Sequence, residues 1–221
     1  MPLPRRISKI SSLLDNRYKS PNLGNKKNPL NELLYIIISL RTTDSSTQRT
    51  YARFKIKFPS WNIAYAAKTN KIAAVLKNAG LFRQKARNLK LILTKVKQDW
   101  KTISLRKLKS LDTGSLERYL LSLPGIGTKS ARCIMMYSFN RKVFPVDSHC
   151  FRIIKRLGWI DQDSKYTVRI QDKIQQLIPP RNRYKLHVNL IQHGRNICFP
   201  SRPRCKVCFL VKVCNYCKFN M

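Results

Sequence analysis

Five of the seven cysteines of this 221-residue chain fall in its last 24 residues, and four of them, Cys198, Cys205, Cys208 and Cys214, are spaced C-x6-C-x2-C-x5-C. Four thiolates within 17 residues can close around one metal centre only if the chain wraps it as a loop. Soft sulfur ligands select zinc or an iron–sulfur cluster. Structural zinc usually takes two short knuckles. Here a single C-x2-C lies between long spacers, which suits the bulk of a cubane cluster whose irons each take one thiolate, with zinc as the alternative. Arg202, Arg204, Lys206 and Lys212 lie between the ligands, where a stapled loop would present them rigidly to phosphate. Cys217 lies outside the spacing, and Cys133 and Cys150 fall on helices. These three read as buried or incidental thiols. The odd count and the absence of a recognisable secretory signal argue against a disulfide framework.

A second constellation lies at Pro124-Gly125-Ile126-Gly127, between the helix-patterned SLERYLLSL and TKSARCIMMYSF. A helix, a tight glycine turn and a second helix leave amide hydrogens unpaired and let the backbone approach a partner closely. Together with the N-terminus of the second helix they make a phosphate site. A compact helix corner without a ligand is the plainer reading of the same turn.

The charge names the partner class. Forty-five Lys and Arg face ten Asp and Glu, a formal net charge of +35. The basic residues are spread through apolar-patterned sequence, so the chain is expected to fold and not to act as a basic tail. Nucleic acid is the leading partner. A lysine-rich genome would add to the same bias. No run of about 20 apolar residues exists, so no membrane span is expected.

The elements that must position these groups are helices. Glycine is scarce and strand-like alternation is nearly absent, so the expected class is all-α. Residues 1–27 are polar and basic with one apolar patch around Ile10 to Leu14. Leu30 to Leu40 is nearly all apolar and reads as a helix buried on most sides. Ser45 followed by Gln48 fits a capping box for the next helix, which runs to Pro59. Helices follow around 63–67, 71–79 and 85–97, then 115–123 and 128–139. Asp147 is placed to cap a helix running to Leu157. Further helices span about 168–178 and 183–193, the last ending at Gly194.

Three motifs now stand in order: LPGIGTKSA (Leu123–Ala131), FPVDSH (Phe144–His149), and HGRNIC followed by the cysteine spacing. In these the chain resembles the endonuclease III family of helix–hairpin–helix DNA glycosylases, with weaker similarity at 28–44 and 79–86. The resemblance implies a two-lobed all-α protein. Residues 30–141 would form a helical barrel with the helix–hairpin–helix at 115–139. Residues 1–29 plus 142–221 would form the iron–sulfur lobe, with a [4Fe–4S] cluster in the loop 198–214. Duplex DNA would lie across the cleft, with the target nucleotide flipped out of the stack.

The resemblance places Lys129 on the family's catalytic lysine and Asp147 on its catalytic aspartate. The chemistry is compatible. An amine that attacks the anomeric carbon must be partly unprotonated. Lys129 would sit in the first turn of a helix, whose dipole disfavours added positive charge. The basic surroundings act the same way, so its pKa is expected to be lowered. Asp147 is the only carboxylate between Glu117 and Asp161, where a cationic transition state needs an anion. A solvated lysine and a plain N-cap are the bland alternatives.

The amides of Gly125, Ile126 and Gly127 would hold a phosphate, and Leu81 matches a wedge residue, with an ordinary buried leucine as the alternative. Arg41 departs from the glutamine of the bacterial members, which leaves opposite-base preference open. His149, His187 and His193 read as structural.

The leading expectation is a bifunctional glycosylase and AP lyase acting on oxidised pyrimidines in double-stranded DNA as a monomer. A hydrolytic or mismatch-type glycosylase, or a non-catalytic cluster-bearing DNA-binding protein, are the alternatives. The location would be cytoplasmic in a prokaryote and nuclear or organellar in a eukaryote.

Overall fold

The computed structural model describes residues 3–220, with the side chains of 3–217. The elements in order are α1 (Leu3–Tyr18), α2 (Pro29–Ser39), α3 (Asp44–Lys57), α4 (Trp61–Ala66), α5 (Thr69–Leu76), α6 (Phe82–Trp100), α7 (Thr113–Leu121), α8 (Thr128–Phe139), α9 (Ser148–Arg156), α10 (Val168–Leu177), α11 (Arg183–Asn196) and α12 (Asn215–Asn220). Short 3-10 turns occur at 106–110, 180–182, 205–207 and 211–213. No strand occurs among the described residues. None of their helices is long and apolar enough to cross a membrane.

The chain divides into two compact units, Met1–Gly24 with Lys142–Met221, and Asn25–Arg141. The central unit is built on α2. Asn28 caps it by accepting from the amides of Leu30 and Asn31, and Pro29 occupies the first turn, where its missing N–H costs nothing. Leu33, Leu34 and Ile38 are fully buried. Helices α3 and α8 pack on α2, α5 packs on α6, and α7 packs on α8.

The terminal unit has its own core of Ile7, Ile10, Leu14, Phe144, Ile154, Ile174, Leu186 and Leu190. Here α11 packs against α1 and α9. Polar pins fix α1 along its length. Lys185 reaches Asp15 at 2.8 Å, and the Tyr18 hydroxyl meets His193 Nδ1 at 3.0 Å.

Several sequence expectations need correction. The N-terminal patch is a full helix of 16 residues, because Ile7, Ile10 and Leu14 at helical spacing find a core that the local composition does not show. The cap of α3 is Thr43, which accepts from the amide of Ser46 at 3.4 Å; Ser45 is already inside the helix. Gly194 does not end α11, which continues to Asn196. Its role is spatial: a Cβ there would stand 2.5 Å from His149 Nδ1. The chain after the cysteine spacing forms α12, which the pattern did not announce.

Candidate active site

The hairpin joins α7 to α8. Gly125 sits at φ +78, and a Cβ there would lie 2.3 Å from Asn88 Nδ2 on α6. The left-handed backbone of the turn therefore calls for glycine, while the contact falls on the movable end of the Asn88 side chain. Gly127 precedes α8 at φ −97 with nothing within 4 Å of a built Cβ, so its backbone faces open space. Ile126 departs from expectation. Its amide donates to the Leu123 carbonyl at 3.1 Å and its side chain is buried, so it is not one of the outward-facing amides. Gly125 and Gly127 are the exposed positions of the turn. Arg132 on α8 bonds Glu117 on α7 at 2.8 Å and locks the two helices together.

Lys129 lies in the first turn of α8, half-buried. Within the same unit, Glu32 of α2 is fully buried and feels its charge. Burial pushes the Glu32 carboxyl up. The Lys26 amide, the Asn25 side chain, and the charges of Lys129 and Lys26 pull it down. Asn25 donates to it at 2.5 Å and the Lys26 amide at 2.6 Å. Glu32 was missed in the sequence. The available signal is a single carboxylate in an otherwise apolar helix, a position rarely filled without a partner.

Arg41 and Leu81 share one corner of the central unit. Both have left-handed backbones, at φ 52 and φ 59. A Cβ on Gly80 would lie 2.8 Å from the Arg41 carbonyl oxygen, so only glycine lets the two loops meet. Leu81 is 50% exposed, unlike an ordinary core leucine. Beneath them Lys85, buried on α6, donates to the carbonyls of Ile38 at 2.8 Å and Leu40 at 2.6 Å, and to Thr42 Oγ1 at 3.0 Å. It satisfies the C-terminal carbonyls of α2 and holds the Arg41 loop in place. Burial lowers its pKa to about 8.

In the terminal unit Asp147 caps α9, accepting from the Cys150 amide at 2.7 Å. His149, in the first turn of α9, accepts from Arg152 at 3.1 Å, and burial holds its pKa down. His187 lies 3.6 Å from the Cys150 thiol inside the core. His193 is buried between Tyr18 and Phe209, with Nε2 3.7 Å from the Cys208 sulfur.

Cys198, Cys205, Cys208 and Cys214 line one cavity. Its wall also holds Arg156, His193, Arg204 and Cys217, and no carboxylate. Among the described residues no three Cys, His, Asp or Glu side chains converge as they would around a single metal ion. Burial pushes the Cys208 thiol up to about 11, and the other three thiols add like charge. A bound cationic centre would remove that cost.

Two arginines of α9 organise the wall and escaped the sequence reading, being lost among so many cations. Arg152 donates to the Cys198 carbonyl at 2.8 Å. Arg156 donates to the Cys198 sulfur at 3.1 Å and to the Phe199 carbonyl at 2.7 Å. From α1, Arg6 donates to the carbonyls of Leu157 at 2.9 Å and Val213 at 2.7 Å. Arg202, Arg204, Lys206 and Lys212 all stand exposed on the loop, with Arg204 over the Phe199 ring at 5.3 Å.

Residues 34–180 match the model of the HhH-GPD superfamily of base excision DNA repair proteins, and the chain belongs to that superfamily. Over 189 residues it is 30% identical to Endonuclease III of Buchnera aphidicola subsp. Schizaphis graminum, covering 84% of each chain; within the superfamily it falls in the endonuclease III family of DNA glycosylases. It is 28% identical over 204 residues to the Putative DNA glycosylase At3g47830 of Arabidopsis thaliana, covering 90% of this chain but 62% of that relative's length. A trapped covalent endonuclease III–DNA intermediate has the same fold, with a TM-score of 0.84 at 23% identity over 99% of both chains.

Proposed function

We propose that the chain is a bifunctional DNA glycosylase and AP lyase that removes oxidised pyrimidines from duplex DNA. One observation carries the reading: an amine in the first turn of α8, directly after an open glycine backbone at Gly127. That arrangement allows a phosphate to be held at the turn while Lys129 reaches the adjoining sugar. Lys129 attacks the anomeric carbon, the base leaves, and an iminium links protein and sugar. β-Elimination then breaks the strand on the 3′ side, and water releases the enzyme. Asp147 supplies the anion and proton acceptor, a role compatible with capping α9 because a carboxylate can accept several hydrogen bonds at once, the Cys150 amide taking Oδ1.

Leu81 and Arg41, presented side by side on strained backbone, would fill the stack and meet the orphaned base after flipping. Arg202, Arg204, Lys206 and Lys212 would contact phosphates. Cys198, Cys205, Cys208 and Cys214 would hold a [4Fe–4S] cluster. The fit rests on an all-sulfur donor set in one cavity, with Arg156 already bonded to a ligand sulfur. When bound, the cluster supplies a fixed charge centre and four covalent staples to the loop. The chain would act on DNA as a monomer.

The test is borohydride trapping. Purified protein on a duplex carrying thymine glycol or an abasic site should yield a covalent adduct on reduction. Lys129→Ala should give none while still binding DNA. Base excision by the wild type without any adduct would replace this reading with a hydrolytic glycosylase.

A further inference from the structure

The cysteine cavity holds one sulfur more than a four-iron cluster requires. Cys217 lies outside the C-x6-C-x2-C-x5-C spacing, yet it is buried to 6% exposure and lines the same cavity as the four ligands. Cys205 and Cys214 stand in the same cavity wall as Cys217. The sequence reading of an incidental thiol is correct about burial and wrong about surroundings.

Local structure explains the placement. Cys214 immediately precedes α12, and Cys217 follows three residues later inside it. Cys214 has an extended backbone just before the helix and Cys217 lies in its first turn, and both line the cavity. The start of α12 is also anchored. Arg6 bonds the Val213 carbonyl at 2.7 Å and Asn215 Oδ1 at 2.9 Å. Asn215 packs where a Cβ on Gly158 would stand, 2.1 Å from its Nδ2. The segment carrying both thiols is thus held beside the cavity by groups other than the cysteines.

We propose that Cys217 is a reserve ligand of the cluster site, able to take the position of Cys214. The proposal rests on the cluster reading above. The exchange is a ligand substitution without redox change. The iron–sulfur bond to Cys214 breaks, a bond to Cys217 forms, and the proton that Cys217 gives up goes to the departing Cys214 thiolate. Where Cys214 is absent, that proton goes to solvent. A cluster with a reserve thiol survives oxidative or nucleophilic loss of its last ligand, which in this chain lies nearest the C-terminus.

The experiment measures iron and acid-labile sulfide per folded chain, with visible absorbance as a second readout. It compares full-length wild type, Cys198→Ala, Cys214→Ala, Cys217→Ala and the Cys214→Ala/Cys217→Ala double variant. The expected result is wild-type content in Cys217→Ala, most of that content in Cys214→Ala, and loss in Cys198→Ala and the double variant. Cys214→Ala as empty as the double variant overturns the proposal, as does an empty Cys217→Ala, which would make that thiol obligatory. If Cys214→Ala does not accumulate as folded protein, Cys217→Ala still decides. Under a chelator and a mild oxidant its absorbance should bleach several-fold faster than wild type, and equal rates overturn the idea. Wild type without iron and sulfide would instead sink the cluster reading itself.

Discussion

The carbonyl oxygen of Arg41 stands 2.8 Å from the point where a Cβ on Gly80 would be built. Two loops 39 positions apart in sequence therefore meet backbone to backbone, and each presents a residue in the left-handed region, Arg41 and Leu81. Gly80→Ala must push the loops apart, because a carbonyl oxygen cannot rotate away as a side chain does. Stability should fall by about 1–2 kcal/mol. Binding to damaged duplex should weaken by more than that loss explains, measured by titration well below the melting temperature. Unchanged DNA affinity would separate this corner from function.

Leu81 carries strain without core packing. Its φ of 59 costs a branched residue about 1–2 kcal/mol, and it is 50% exposed. Leu81→Gly should therefore raise the unfolding free energy by up to about 1 kcal/mol, through relief of that strain. The same change should slow single-turnover base release. A variant that is both more stable and equally fast would remove the wedge role.

Gly125→Ala brings two conflicts, the φ of +78 and the contact with Asn88. The second is with the end of a side chain and can be relieved. Gly125→Ala should weaken phosphate-dependent binding by roughly 10-fold or more, about 1.4 kcal/mol. Adding Asn88→Ala should restore part of the loss but leave the backbone share. Full restoration would show that the left-handed turn itself is dispensable.

Lys85 gives a stability signature in pH. Its pKa is about 8 in the folded chain against an ordinary 10.5. Between those values the unfolded chain keeps a proton that the folded chain has lost, so stability rises with pH across the interval. Below about 8 both states are protonated and the contribution is gone. The unfolding free energy of wild type minus that of Lys85→Met should increase from pH 8 to 10, at no more than about 1.4 kcal/mol per pH unit. Denaturant titrations of both proteins would read it, and a constant difference would contradict it.

The sequence alone was sufficient for the helical class, the glycine turn, the Asp147 cap and the four-cysteine spacing. Each is a short-range property: a period of helical turns, a backbone that only glycine adopts, a cap within three residues, thiols within one loop. The positions of Lys129 at the start of α8 and of Asp147 before α9 follow from the same local rules.

Tertiary structure decided what depends on separated segments meeting. Glu32 near Lys129, Lys85 under the Arg41 loop, Arg156 on the Cys198 sulfur, and Cys217 among the other thiols are all of this kind. Spacing cannot show them, because burial and charge depend on which surfaces the packed helices remove from water, and in a chain with 45 basic residues no single cation stands out until its acceptor is in place.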